Sequence, residues 1–431
     1  MIPCSTLLER LAAGNYDERL RHIYCCDDNG LPGVRERVRA VAEGFLTTFS
    51  RAEDTPVGLF SGPGRTELGG NHTDHQHGRV LAASVNLDAL ACAAPNGTSV
   101  IRILSEGYPM LEVTLSDLIP DERERDSSAA LVRGVAAKIS SLGYTVSGFD
   151  AYVSSNVLGG SGLSSSAAYE VMIGVTINHL FCHDALTAVQ IAQIGQYAEN
   201  VYFGKPCGLM DQMASAVGSA VAIDFADIEN PQVHKVEYDF TQSGCALCII
   251  DTGADHADLT DEYAAIPTEM GAVASYFGKS VLRDVSEDEF RASLPALRER
   301  VGDRAVLRAV HFFAEDKRAA AEAAALDAGD FQQFLRLAER SGHSSYMYLQ
   351  NIYCSLHPKE QAVAVALAVA EEALGGEGMS RVHGGGFAGT IQAFVPLHRL
   401  ADFKARMETV LGEGRCMVLN IRPEGGIVLI D

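Results

Sequence analysis

Leu158-Gly159-Gly160-Ser161-Gly162-Leu163-Ser164-Ser165-Ser166-Ala167-Ala168 is the most informative stretch of this chain. Behind it, Phe149-Asp150-Ala151-Tyr152-Val153 reads as a strand. Ahead of it an apolar helical run continues through Phe181. A strand, a glycine turn and a hydroxyl-rich helix start together make an anion site. Glycines let backbone N–H groups approach a phosphate closely, and the helix N-terminus adds partial positive charge. A tight turn capped by serine is the alternative. One cap needs one hydroxyl, and three consecutive serines exceed that need, which favours phosphate.

A chain of 431 residues exceeds one ordinary core, so two packed domains are expected. Hydrophobic residues at 47% and charged residues at 21% belong to the soluble globular class. Thirty-four basic against 56 acidic residues give a net charge of −22, which repels nucleic acid and anionic membrane. A nucleotide can still bind, because amides, a helix end and Mg²⁺ supply local positive field. With Glu9, Arg10 and Glu18 in its first turns, the N-terminal stretch does not read as a signal peptide. No apolar run approaches the roughly 18 residues that span a bilayer. Cys245-Ala246-Leu247-Cys248 is the only C-x-x-C and lies in an apolar run without a second pair, so it reads as free thiols in a strand. The expectation is a reduced, cytoplasmic protein without a membrane or nucleic-acid partner.

Residues 1–55 read as helical, and 57–60, 81–86, 100–104 and 111–115 as short strands. Helices follow at 131–142 and 186–202, then a strand at 220–225. A polar connection between lobes covers 226–244. Beyond it come a strand at 245–251 and helices within 256–276, 286–300 and 304–325. The end returns to strands at 389–395, 416–421 and 427–430, the last two joined as a hairpin through 422–426. Helices and strands mix without strict alternation, so the fold class is α+β.

Three further segments carry chemistry. Ser61 to Gly78 gathers Arg65, Asn71, His72, Thr73 and Asp74, hydrogen-bonding groups suited to a polyhydroxylated ligand. His72, His75 and His77 also read as metal ligands, though no cysteine or regular helix supports them. Gly204-Lys205-Pro206-Cys207-Gly208-Leu209-Met210-Asp211-Gln212 places Asp211 near a glycine, as a helix cap or a catalyst. Arg381-Val382-His383-Gly384-Gly385-Gly386-Phe387-Ala388-Gly389 reads as a flexible turn or a second backbone wall against a ligand.

Together the four segments resemble the GHMP small-molecule kinases, and within them the galactokinase branch, over most of the chain. Residues 160–168 look like the ATP-binding motif and 206–212 like the segment bearing the catalytic aspartate. Gly64-Arg65 and His72-Thr73-Asp74 resemble the sugar signature, 383–389 the third motif, and Asp261-Glu262-Tyr263 the segment whose tyrosine touches the sugar. The resemblance implies two lobes with the site between them. These are a ribosomal protein S5 domain 2-like lobe at 1–235 and a ferredoxin-like lobe at 236–431.

It also implies roles. Asp211 would serve as base or orienting carboxylate for a sugar C1 hydroxyl, and Arg65 would stabilise charge. Asn71, His72, Thr73, Asp74 and Tyr263 would bind the sugar. Gly160, Ser161, Gly162, Leu163, Ser164, Ser165 and Ser166 would contact ATP, with Ser166 and Glu199 holding Mg²⁺. No G-x-x-x-x-G-K-[ST] occurs, so the P-loop lysine is not expected.

Glu67 and Asn71 stand where the branch usually has asparagine and glutamate, Ile266 and Pro267 replace paired arginines, and His383 stands where threonine is common. These departures loosen the sugar rather than the reaction. The implied activity is an ATP-dependent sugar-1-kinase with D-galactose foremost. L-arabinose, N-acetylgalactosamine or galacturonate remain alternatives, as does a non-sugar alcohol. A silent sugar-and-ATP sensor would not need the full catalytic set.

Overall fold

The computed structural model describes residues 1–431 apart from 158, 160, 161, 206, 255–258, 355 and 356. Its strands are β1 (Ile2–Pro3), β2 (Pro56–Gly69), β3 (Arg79–Pro95), β4 (Val100–Ser105), β5 (Leu111–Thr114), β6 (Phe149–Ser155), β7 (Ala220–Asp224), β8 (Gln232–Lys235), β9 (Cys245–Asp251), β10 (Met379–His383), β11 (Thr390–Pro396), β12 (Cys416–Leu419) and β13 (Ile427–Ile430). One sheet runs β1-β2-β3-β6-β4-β5, with β13 also on β2, β7 on β3 and β8 on β7. Its pairings are antiparallel except β4 with β6. The second sheet is antiparallel in the order β10-β11-β9-β12. Counted within itself that order is 2-3-1-4, the pattern expected of a ferredoxin-like lobe. The two-lobed α+β architecture is therefore present.

β2 extends well past the run expected at 57–60, through Gly62, Gly64 and Gly69. Those glycines serve contact rather than turning. A Cβ on Gly62 would lie 2.2 Å from the Ala168 carbonyl oxygen and 2.7 Å from the Met172 nitrogen. Only a bare strand lets the helix Ser165–Phe181 settle this closely on β2. That helix is apolar on most of its circumference because it is buried along most of its length. The apolar core beneath it continues through Leu247, Ile249, Met379, Phe394 and Leu419, so the two sheets share one interior.

The expected hairpin at 416–430 does not form. β12 pairs with β9, whereas β13 crosses to the first sheet and pairs with β2. The reason lies in the connection. Arg422 is fully buried and donates to Ser61 Oγ (2.7 Å), Asp88 Oδ2 (3.3 Å) and the Gly425 carbonyl (2.9 Å). A buried guanidinium needs such partners and cannot stand at the tip of an exposed turn. The last strand of the region expected as the 236–431 lobe thus completes the sheet of the other. Among the described residues, no helix is long and apolar enough to cross a membrane.

Candidate active site

Arg65, on β2, meets Asp211 at the start of the helix Met210–Val217. Nε lies 2.7 Å from Oδ1 and Nη2 2.8 Å from Oδ2, while Nη1 donates to the Gly162 carbonyl at 2.5 Å. The Arg65 backbone N–H donates to the Leu163 carbonyl (2.9 Å). The end of the glycine–serine loop is therefore tied to this strand twice. Gly162 (φ +74°) and Ser164 (φ +57°) hold left-handed conformations there. Burial pushes the Asp211 carboxyl up, but the Arg65 charge and its hydrogen bonds outweigh it and hold it below the ordinary range. Asp211 is ionised at neutral pH.

Glu199 lies on the π-helical turn Ala198–Phe203, which extends the helix Ala188–Tyr197. Such turns shift side chains out of the regular helical phase and recur at functional sites. Glu199 is only 3% exposed. Its Oε1 accepts from Ser166 Oγ (3.2 Å) and lies 3.5 Å from Lys205 Nζ, and its Oε2 accepts from Gln212 Nε2 (2.7 Å). Gln212 Nε2 also reaches Glu170 Oε2 (3.0 Å). Burial and the charge of Glu199 hold the Glu170 carboxyl well above its ordinary range.

Among the described residues, no three His, Cys, Asp or Glu side chains converge on a metal position. One carboxylate beside one hydroxyl fits Mg²⁺ of the kind that takes its remaining ligands from phosphates and water. Ser165 and Ser166 stand on the first turn of their helix. Gly160 and Ser161, also expected at the nucleotide, lie outside the described residues.

Three of the five expected sugar residues, Asn71, His72 and Tyr263, converge on a third segment, the glycine loop 384–386. Asn71 Nδ2 donates to the Gly384 carbonyl (2.7 Å), His72 Nε2 to that of Gly385 (3.0 Å) and the Tyr263 hydroxyl to that of Gly386 (2.6 Å). Asn351 Nδ2 adds a second bond to Gly385 (3.1 Å). Three successive carbonyls are thus held by side chains from both lobes.

Asn71 is 1% exposed, and the rest of its amide is also occupied. Nδ2 reaches Glu67 (3.0 and 3.3 Å), while Oδ1 accepts from Asn351 Nδ2 (2.9 Å) and Ser345 Oγ (3.2 Å). Thr73 is fully buried, its hydroxyl 2.9 Å from the Gly70 carbonyl and 2.5 Å from that of Arg79. Asn71 and Thr73 therefore stand behind the wall. His72, Asp74 and Tyr263 are partly exposed, and Asp74 lies against Gly208 of the Asp211 segment.

Several residues of the site are given no role by the sequence. Glu67 is buried between Asn71 and Arg381 (Nη2–Oε1 2.7 Å), and burial lifts its carboxyl to about 7 despite the two nearby arginines. His383 bridges Thr66 Oγ1 (3.1 Å) and Thr390 Oγ1 (2.9 Å), and burial and Arg65 keep it neutral. Asn351 sits in no recognisable motif. Lys205 stood in a quoted segment, but only its distance to Glu199 reveals it.

Residues 43–95 match the family description "Galactokinase galactose-binding signature" and residues 130–219 match "GHMP kinases N terminal domain". A galactokinase of Streptomyces coelicolor is 32% identical over 339 residues, spanning 78% of this chain and 84% of that protein. The crystal structure of Lactococcus lactis galactokinase complexed with galactose is similar at a TM-score of 0.76 and 25% identity, covering 91% of this chain and all of that one. The Methanococcus jannaschii mevalonate kinase shares the fold at a TM-score of 0.59 and 14% identity, over 84% and 98% of the two chains. With the shared site segments and this degree of identity, the chain belongs to the GHMP kinases, which use ATP to phosphorylate small hydroxylated substrates.

Proposed function

We propose that this kinase phosphorylates the C1 hydroxyl of a monosaccharide, with D-galactose the foremost substrate. The reading rests on the bidentate pair between buried Arg65 and partly exposed Asp211, set against the Gly162 carbonyl at the end of the glycine–serine loop. The two relatives named as galactokinases, one complexed with galactose, support the sugar.

Phosphoryl transfer asks mainly for positioning and charge neutralisation. Asp211 is too acidic to pull an alcohol proton early. Its carboxylate orients the C1 hydroxyl and takes the proton late, as the sugar O–P bond forms and the bond to the ADP leaving oxygen breaks. Arg65 holds that carboxylate in one orientation and adds positive charge beside the transfer. Glu199 and Ser166 would hold Mg²⁺, which supplies charge neutralisation on the ATP phosphates when bound. His72, Asp74 and Tyr263 would face the sugar. Asn71 and Thr73 would set the wall from behind, Asn71 through the carbonyl of Gly384.

The test is a panel of aldoses with ATP and Mg²⁺, read as ADP release and as the position of the new phosphate. Galactose should be turned over best, with phosphate on O1; no turnover of any aldose would sink the reading. Asp211→Asn should lower kcat by roughly 10³-fold while calorimetry still detects binding of both substrates. Near-normal turnover in that variant would remove Asp211 from its role.

A further inference from the structure

Three of the five N–H groups of Arg65 are committed to Asp211 and the Gly162 carbonyl, so its charge is largely spent inside the site. A polyphosphate arriving at a chain of net charge −22 needs another cation. Lys205 is placed to provide it. It follows Gly204, whose φ of +89° ends the π-helical turn, and its own N–H donates to the Glu199 carbonyl (3.2 Å). This folds the side chain back over the site. Nζ stands 3.5 Å from Glu199 Oε1, the same oxygen that accepts from Ser166 at 3.2 Å on the first turn of the helix behind the loop. The ammonium is thus one carboxylate away from the helix start that reads as a phosphate cradle.

Its bond to Glu199 is long, and the lysine side chain is 63% exposed. Such a pair is weak and easily exchanged. The charge of Lys205 is also felt at Asp211 and Glu170, whose carboxyls it draws down, so it lies within electrostatic reach of the whole acidic group.

We infer that Lys205 is a phosphate-binding residue of this kinase, its ammonium exchanging Glu199 for a non-bridging oxygen of the ATP polyphosphate. The turn after Glu199 then supplies the positive charge that P-loop enzymes take from the lysine of their own motif. The inference rests on the nucleotide reading of the loop, not on which hydroxyl accepts the phosphate. Arg125 provides a built-in comparison. Its guanidinium packs on Gly204, beside Lys205, but its hydrogen bond runs to Glu122 (3.3 Å) on the surface.

Calorimetric titration of the full chain with ATP, without sugar, tests this in EDTA and again in saturating Mg²⁺. Lys205→Met should raise the ATP Kd about tenfold in both, as expected for one partly exposed charge-assisted bond. Lys205→Arg should keep most of the affinity, and Arg125→Met should change it by less than about twofold. The melting temperature should not move. With an accepted sugar, Lys205→Met should lower kcat and leave the sugar KM in place.

An ATP Kd within about twofold of wild type in Lys205→Met overturns the inference. So does an equal loss in Arg125→Met, which would indicate a diffuse field. A wild-type protein that binds ATP but phosphorylates no aldose would count against the sugar-kinase reading alone. One that binds no ATP would overturn both.

Discussion

Glu67 and Asn71 show how much of a site one residue can conceal. Their identities and spacing were plain in the sequence, and Asn71 read as a sugar contact because it stands within a dense polar segment. Its partners Ser345, Asn351 and Gly384 lie more than 270 residues away along the chain and only the fold brings them near. By contrast Arg65, Asp211 and Ser166 lie in segments recognisable one at a time, and the structure sets Arg65 on Asp211 and Ser166 beside Glu199. The Glu67–Asn71 bond has the donor and acceptor exchanged relative to the branch's usual asparagine and glutamate. Asn71→Glu alone would set two carboxyls against each other and confront the Gly384 carbonyl with an acceptor. Glu67→Asn alone would strip Arg381 of its carboxylate. Each single change should cost about 2–4 kcal/mol at pH 8, where Glu67 is mostly ionised. The double variant Glu67→Asn/Asn71→Glu should recover at least about 1 kcal/mol relative to the sum. Denaturant unfolding of the four proteins measures this coupling, and strict additivity would mean that the pair does not interact.

The helix Ser165–Phe181 and β2 form the element pair that carries the proposed nucleotide site. Sequence patterning found the helix, because an uninterrupted apolar run after a serine-rich start has few other readings. It stopped β2 too early, because a glycine in a strand and a glycine in a turn look alike without the neighbour that needs the space. Gly62→Ala should push the helix off the strand and destabilise the protein by about 3 kcal/mol. It should also weaken ATP binding, since Ser165 and Ser166 ride on that helix. Gly97→Ala is the control. Its φ is +70° but nothing lies within 4 Å of the added Cβ, so it should cost about 1 kcal/mol and leave ATP affinity alone. Thermal melts and ATP titrations on both variants separate crowding at the helix from backbone strain.

Across the whole molecule, the two sheets share an apolar interior, and the Asp88–Arg422–Ser61 cluster pins the final crossing between them. Sequence patterning located the last two strands but joined them to each other, since adjacency along the chain is the only cue a sequence offers for pairing. Arg422→Ala should cost about 3–5 kcal/mol by leaving Asp88 short of a buried partner. Calorimetry should show one unfolding transition that moves as a unit. Two transitions, only one of them displaced, would contradict the shared interior. The return of β13 to β2 has a further consequence during biosynthesis. The first sheet is nearly complete once residue 235 has been translated, yet the edge at Leu59–Ser61 waits for almost 200 more residues. A nascent chain on the ribosome therefore carries an open strand edge and the unfilled places of Leu429 and Ile430 for most of its synthesis. That interval is when the protein is most exposed to mispairing and most dependent on chaperones.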